Sequence, residues 1–441
     1  MSTATKVPIP FEEPPWITGP SLFYSASHRS WNQTCRSFID KHLNQHAMEW
    51  ETEESIPAHV YSQFAASNML VPILPTPLPV AWLQKLGIRE LPGGLAVEHF
   101  DAFHGAIFQD NMLRSGLMGP PGAITTGVAF GIPPIYNFGS PALQERFLPG
   151  LLTGKTRICI AITEPGAGSD VSNVATTAEK SLDGTLYIIN GIKKWITNGI
   201  WSDYATMLVR TGGSGPQGLS LLLVPLKNQP GVTMRRLKVA GQISAGTSFI
   251  ELDNVEVPID NLIGQEGQGM KYAMTNFNHE RLTIAVGVVR QARVALSSAF
   301  EYALKREAFG KPLMDQPVVR ARLAKAGVRL ETLWAYIEQL LFQTTCLPKE
   351  VADRELGGIT ALVKAHAGKV LSDCVNNAVL VFGGNGYTRT GQGELIEKLY
   401  REIPGAKIPG GSEDVLMDLA IRQLIKLYRT KVSESAGRSN I

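Results

Sequence analysis

The sequence predicts an α+β protein in which a helical region, a β region and a second helical region follow one another. From Ser27 onward apolar residues fall at helical spacing. Between Arg157 and about Ile263 the pattern changes to period-two, β-branched segments separated by Gly and Asn turns. After Gly264 helical spacing returns and continues to the end. The 441 residues are too many for one small core and suit two or three packed units. The expected division is an extended segment 1–22, a helical domain 23–156, a β domain 157–263 and a helical bundle 264–441.

Composition narrows the class. Hydrophobic residues make up 44% and charged residues 18%, the balance of an ordinary folded, soluble chain. A net charge of +3 gives no reason to expect nucleic acid or an anionic membrane as partner. No apolar run is long enough for a membrane span. Cys35, Cys159, Cys346 and Cys374 are far apart, with no CxxC and no His pairing. Neither a metal site nor a disulfide framework is expected, and a reducing compartment is. Met1–Pro15 carries one lysine, two glutamates and four prolines, unlike a signal peptide or an Arg-rich import helix. Ser439–Ile441 is not the Ser-Lys-Leu peroxisomal address. A cytoplasmic location is the expectation.

In chain order, Trp31, Cys35, Phe38, Ile39 and Leu43 share one helical face, and Val60–Ala66 reads as a second helix. Val71–Val80 is too proline-dense for a helix or a central strand, so it should be an ordered loop or a surface excursion. Phe100–Leu117 and Ala123–Ile132 read as helices, and Ser140-Pro141 starts a capped one. Arg157–Ile162, Tyr204–Arg210, Leu219–Pro225 and Phe249–Val257 read as strands. Asn190-Gly191 between two β-branched runs predicts a tight hairpin. Met270 to about Arg306 reads as one long amphipathic helix. Gln316–Thr345, Gly357–Leu380 and Leu416–Tyr428 would pack beside it as an antiparallel bundle.

The chemistry gathers on Ala161–Asp170 and Lys194–Asn198. Pro165-Gly-Ala-Gly168 is a turn whose glycines let the backbone approach a ligand and whose N–H groups are exposed; a plain strand-turn connection is the alternative. Trp195 and Thr197 stand two residues apart at a strand end, so both should leave one face. They would offer an apolar plate beside a hydroxyl, which suits a planar cofactor with polar edges. Ile162-Thr-Glu-Pro-Gly-Ala-Gly-Ser-Asp170 followed by Asn190-Gly-Ile-Lys-Lys-Trp-Ile-Thr-Asn198 closely resembles the acyl-CoA dehydrogenase family. The resemblance runs from about Tyr24 to Leu427 and is strongest in 157–200, 255–316 and 382–414.

That resemblance implies an N-terminal helical domain, a middle β-barrel or sheet domain, a C-terminal four-helix bundle, bound FAD and a homotetramer. It places Trp195 against the flavin ring, Thr197 near its N5, and Ile162 and Thr163 at the pyrimidine edge. Arg306-Glu-Ala-Phe309-Gly with Gln316 matches a family motif, and Arg306 would meet the FAD pyrophosphate of a neighbouring subunit. A helix-end arginine capping carbonyls is the competing reading. Phe382-Gly383-Gly384-Asn-Gly-Tyr387 resembles the ADP-binding turn, while Ser412 and Asp414 stand where the family touches the adenosine. Leu380 occupies a position usually filled by Gln. Ser169, Asn278, Arg281 and Gly410 match positions that seat the thioester substrate, with Ser169 also near the cofactor.

Glu280 is the candidate base. It lies three residues after Phe277 and four before Ile284, so its carboxylate points along the apolar stripe of its helix. Burying an unpaired carboxylate raises its pKa toward a general base's range. A structural ion pair with Arg281 and a solvated helix edge compete with that reading. The resemblance decides through a departure. Most members carry the base in a Tyr-Glu-Gly-Thr loop, but here Ile408-Pro-Gly-Gly-Ser412 puts Gly410 at that place. The branch with isovaleryl-CoA and long-chain acyl-CoA dehydrogenases carries it on the long helix in Glu-Arg-Leu, and Glu280-Arg281-Leu282 matches. Glu413 is the near alternative. His279 points about 100° away from Glu280 on a helix and is a neighbour rather than a relay.

The implied reaction is α,β-dehydrogenation of an acyl-CoA, or another acyl thioester, to the trans-2-enoyl product. Glu280 takes the α-proton and flavin N5 accepts the β-hydrogen as hydride. A ribityl hydroxyl and a backbone N–H near Gly410 hold the thioester oxygen. Electrons would pass to an electron-transferring flavoprotein or, as second choice, oxygen. A flavin oxidase or monooxygenase acting on a non-CoA substrate, and a non-catalytic flavoprotein, are the alternatives.

Overall fold

The computed structural model describes residues 7–438. The first six residues of the expected extended segment, and the Ser439–Ile441 terminus read for a peroxisomal address, lie outside the described residues. The chain opens with helices α1 (Pro15–Thr18), α2 (Ala26–His42), α3 (Ala47–Thr52), α4 (Ala58–Ala66) and α5 (Val80–Lys85). A small hairpin, β1 (Glu90–Leu91) and β2 (Leu95–Ala96), precedes α6 (Ala102–Met112), α7 (Gly119–Gly131), α8 (Pro133–Phe138) and α9 (Pro141–Leu152). The strands β3 (Ile158–Ala161), β4 (Thr177–Lys180), β5 (Leu186–Ile196) and β6 (Tyr204–Arg210) follow, then β7 (Leu219–Pro225), β8 (Val232–Arg236), β9 (Ser248–Pro258) and β10 (Leu262–Ile263). Helices return with α10 (Gly269–Thr275) and α11 (Phe277–Lys305). The hairpin β11 (Glu307–Ala308) and β12 (Lys311–Pro312) leads into α12 (Pro317–Cys346), α13 (Lys349–Glu355), α14 (Gly357–Phe382), α15 (Glu394–Lys407) and α16 (Glu413–Arg438). The helix–sheet–helix succession is the expected one.

The chain forms two compact units: Ser30–Phe108 with Met118–Glu280, and Met1–Arg29 with Gln109–Leu117 and Arg281–Ile441. The first unit is built on an eight-stranded sheet of order β10-β7-β6-β4-β5-β9-β8, with β3 parallel to β6. Its core is the inward side of these strands, including Tyr187, Ile189, Leu222, Val224, Ile250 and Val255. At the start of α9 the Ser140 hydroxyl accepts from Leu143 N–H at 3.1 Å, the cap read from Ser-Pro. The proline-dense stretch is an ordered loop and not a surface excursion. Leu70, Val71, Ile73, Leu74 and Leu78 are all buried, because the apolar residues between the prolines turn inward.

Two local expectations fail in this unit. Asn190-Gly191 does not turn the chain: β5 runs straight through it, paired with β9 and bulged between Ile189 and Gly191. The Asn190 carboxamide oxygen accepts from Asn254 N–H at 2.8 Å. A Cβ on Gly191, where φ is 151°, would lie 2.6 Å from the Thr176 hydroxyl oxygen. The glycine thus permits a close-packed bulge rather than a hairpin. The tight connection comes earlier, at Asp183-Gly184, where Ser181 N–H donates to Leu186 C=O at 2.9 Å. The second failure is the long helix from Met270. It breaks at Asn276, whose amide donates to Ala129 C=O at 3.1 Å, giving α10 and α11.

The second unit is a helical bundle. Arg293 of α11 pairs with Glu331 of α12 at 2.6 and 2.8 Å, and α14 packs against α12, α15 and α16. From Val7 to Leu22 the segment is folded rather than extended. Ile9–Glu12 forms a turn, α1 adds one helical turn, and a Cβ on Gly327 of α12 would meet the Phe11 ring at 2.4 Å. Arg290, buried in α11, donates to Glu12 C=O at 2.6 Å and pairs with Asp110, while Arg114 holds Glu13 at 2.8 Å. Among the described residues no helix is long and apolar enough to cross a membrane.

Candidate active site

In the first unit β3 delivers Ile162 and Thr163 to the end of β5. Thr163 C=O accepts from Lys194 N–H at 2.9 Å. The ammonium of Lys193, fully buried, donates to Ile162 C=O at 3.1 Å, Leu208 C=O at 2.6 Å and the Glu164 carboxylate at 2.8 Å. Glu164 also accepts from Ala175 N–H at 2.7 Å, Thr176 N–H at 3.0 Å and the Thr176 hydroxyl. Burial pulls the Lys193 pKa down to about 8, against the attraction of Glu164. Burial alone would raise Glu164, but Lys193 and the hydrogen-bond donors outweigh it and hold the carboxyl below its usual range. Neither residue was singled out from the sequence. Both lie inside the quoted motifs, and a buried lysine opposite a buried glutamate is the signal that could have found them.

Beyond Glu164 the turn closes on itself, Glu164 and Ala167 exchanging main-chain bonds of 3.1 and 3.2 Å. Nothing packs within 4 Å of where a Cβ would stand on Gly166 or Gly168. The glycines therefore keep an open surface, as expected of a backbone that meets a ligand. Ser169 and Asp170 are exposed at its end. Trp195 is 49% exposed, a large ring left at the surface. Trp195 and Thr197 do not share a face through strand alternation. The strand bulges between Lys194 and Ile196, Trp195 has φ 60°, and Thr197 lies past the strand. Their placement comes from the bulge, not from the pleat. Asn198, also left-handed at φ 53°, is anchored through its amide to Ile158 C=O at 2.9 Å. The structure thus brings Ile162, Thr163, Trp195 and Thr197 to one end of the sheet.

Glu280 sits half-buried in the first turn of α11, its N–H donating to Asn276 C=O at 3.0 Å. A carboxylate there is favoured by the positive end of the helix. Asn278 and His279 are half-buried beside it in sequence. In the second unit Arg281 is buried and donates through Nε to Gly410 C=O at 3.1 Å. Gly410 and Gly411 both lie in left-handed backbone, at φ 69° and 106°. Glu413 is half-buried and pairs with Lys407 at 3.1 Å. The ammonium of Lys364, 2% exposed, donates to Lys407 C=O at 2.6 Å and Gly411 C=O at 2.7 Å. Nothing in the sequence singles out Lys364, because a lysine in a helical run reads as a surface residue.

At the other end of α14 the Gly383-Gly384 turn meets the end of α11. Phe382 stacks on Tyr302 at 4.2 Å, and the Asn385 amide donates to the Tyr302 hydroxyl at 3.0 Å. Arg306 follows Tyr302 by one turn and is exposed. Gly383 has φ 59°, and the Cβ positions of Gly383 and Gly384 are open. Phe309 is 93% exposed at the tip of the β11–β12 hairpin, where Phe309 and Gly310 both have positive φ. Gln316 is the residue that starts α12, and Leu380 is exposed. Ser412 and Asp414 belong to the opposite end of α14. From Lys364 to Phe382 the helix advances about 27 Å at ~1.5 Å per residue. Within one chain the structure does not bring Gly383 and Gly384 together with Ser412.

Profiles of the N-terminal, middle and C-terminal domains of acyl-CoA dehydrogenase match residues 25–155, 159–255 and 267–425. The acyl-CoA dehydrogenase apdG of Emericella nidulans is 64% identical over 434 residues, covering 98% of this chain and 99% of that protein. A mitochondrial long-chain specific acyl-CoA dehydrogenase of Mus musculus is 26% identical, over 91% of this chain and 87% of its own. The crystal structure of a probable acyl-CoA dehydrogenase from Mycobacterium abscessus matches with a TM-score of 0.80 at 31% identity. It covers 91% of this chain and 100% of that one.

Proposed function

The chain belongs to the acyl-CoA dehydrogenase family and is an FAD-dependent acyl-CoA dehydrogenase, and from that premise we propose that Glu280 is its proton-abstracting base. The residues present fit FAD: an exposed tryptophan plate stands beside a glycine turn in one unit, and a second open glycine turn lies next to an exposed arginine in the other. Trp195, Thr197, Ile162 and Thr163 would hold the isoalloxazine. Arg306, Phe309, Gln316, Gly383 and Gly384 would hold the dinucleotide, with Ser412 and Asp414. Bound FAD supplies the two-electron acceptor for the β-hydrogen.

One observation carries the choice of base. Gly410 stands where most members carry theirs, and its φ of 69° is backbone that a side-chain-bearing residue adopts only at a cost. Glu413, the alternative, is engaged by Lys407. Glu280 takes the α-proton, and the Gly410 N–H donates to the thioester oxygen as charge develops there. Ser169, Asn278 and Arg281 orient the thioester. This is the arrangement of the branch with the base on the long helix. The substrate class is acyl-CoA or another acyl thioester, and an electron-transferring flavoprotein is the acceptor of choice. The separation of Gly383–Gly384 from Ser412 supports a homo-oligomer, the homotetramer of the sequence reading, in which two chains complete one FAD site. The location proposed is cytoplasmic.

The test is anaerobic titration of the purified holoprotein with acyl-CoAs of graded chain length, following flavin absorbance. Some chain length should bleach the wild type. In Glu280→Gln the bleaching rate should fall by about 10²–10⁴-fold with binding retained. Undiminished bleaching in that variant would move the base to Glu413. No bleaching of the wild type by any acyl-CoA would reject these thioesters as substrates.

A further inference from the structure

We infer that Lys364 is a positioning residue for the dehydrogenation: its buried ammonium fixes the 407–412 loop, and with it the direction of the Gly410 N–H. The inference rests on the reading of Gly410 as the donor to the thioester oxygen. The loop joins α15 to α16 and contains two consecutive glycines in left-handed backbone. Such a pair is the most mobile linkage a chain can offer, so its conformation must be set from outside. Lys364 supplies that. It rises from the first turns of α14, lies 2% exposed, and donates to the carbonyls on both sides of Gly410, Lys407 C=O at 2.6 Å and Gly411 C=O at 2.7 Å.

Fixing the Gly411 carbonyl fixes the peptide plane after Gly411, and fixing the Lys407 carbonyl fixes the entry to the loop. Arg281, reaching Gly410 C=O at 3.1 Å, pins the plane that joins Gly410 to Gly411, so the Pro409–Gly410 plane that carries the Gly410 N–H is held from both sides. An ammonium is a compact charge with three donors that can serve carbonyls pointing in different directions. Buried at this position it strengthens each contact and tolerates few alternative loop conformations. A donor aimed at a developing oxyanion contributes only if it is aimed before the reaction begins. Lys364 does that aiming without touching substrate.

The experiment uses the FAD-loaded protein and two readouts. Lys364→Met should speed amide hydrogen exchange in peptides spanning 405–416 by at least tenfold, with exchange in the first unit unchanged. With the acyl-CoA that best bleaches the wild type, its kcat should fall about 10–100-fold while KM stays within threefold. Lys364→Arg, which keeps a cation, should recover loop protection and most of the kcat. If the methionine variant does not fold, Lys364→Gln replaces it with the same expected directions. Unchanged exchange in the loop, or a KM that rises while kcat holds, would overturn the inference. If the wild type oxidises no acyl-CoA, the dehydrogenation reading of Gly410 falls on its own, and the exchange arm still decides whether Lys364 holds the loop.

Discussion

Each unit holds a glycine-bearing loop with a buried lysine, and the two lysines are partnered differently. Lys193 meets a carboxylate and two carbonyls, so that the Ile162–Asp170 turn is locked to the sheet by an ion pair. Lys364 reaches two carbonyls of the loop it holds, 43 and 47 residues further along the chain. In the first case the carboxylate and one carbonyl lie in the 162–170 motif, and the third partner is Leu208 C=O on β6. In the second the anchor is remote in sequence and its targets are main-chain atoms, which any residue types could provide. Side-chain partners leave a trace in the sequence; main-chain partners do not.

Three substitutions sharpen this contrast. Lys193→Met should have the largest effect, because it strands Glu164 buried without its cation. Breaking such a pair costs about 3–5 kcal/mol, read as a lowered denaturant midpoint with unchanged slope; a loss under about 1 kcal/mol would show that the pair is not what locks the turn. Glu164→Gln should cost less, about 1–3 kcal/mol, since the donors from Ala175 and Thr176 keep an acceptor and Lys193, its pKa already pulled down to about 8, keeps the Ile162 and Leu208 carbonyls. Its second signature is in pH. The Glu164 carboxyl is held below its ordinary value, so its stabilisation is complete above about pH 4.3 and is lost as pH falls through the lower folded value. The variant should therefore lose less stability than the wild type between neutral and acid pH, measured as thermal midpoints. Equal acid sensitivity would assign that loss to other carboxylates. Gly410→Ala should have the smallest effect on stability, about 1–2 kcal/mol for a left-handed backbone, and its kcat should fall more than its KM rises. A neutral Gly410→Ala would mean that the loop is free to relax.

Much of the architecture was legible. The change of hydrophobic period at Arg157 and Gly264 marks where the eight-stranded sheet begins and ends, because burial of one sheet face or one helix stripe imposes it. The errors came where a local signal was outvoted by packing. Asn190-Gly191 has turn chemistry, yet Thr176 on one side and Asn254 on the other hold it in a bulged strand. The α10–α11 break was hidden because Asn276 is tolerated in an apolar pattern, and its bond to the Ala129 carbonyl is a tertiary contact that the pattern does not carry. For the candidate site, Trp195 and Thr197 stand out by motif while the reason for their placement does not. A bulge with φ 60° cannot be read from alternation.

The folded N-terminal segment has a practical consequence. Similarity to the family's domain profiles starts at residue 25, and a gene trimmed to that border would look complete. It would nonetheless strip the bundle of the Phe11 ring over Gly327, the Glu12 carbonyl that receives Arg290 and the Glu13 carboxylate that receives Arg114. Arg290, whose burial is offset chiefly by Asp110 with help from Glu13 and Glu12, would lose part of its counter-charge. The border of the family profile and the border of the folding unit fall at different residues, and expression boundaries drawn from the first would cut through the second.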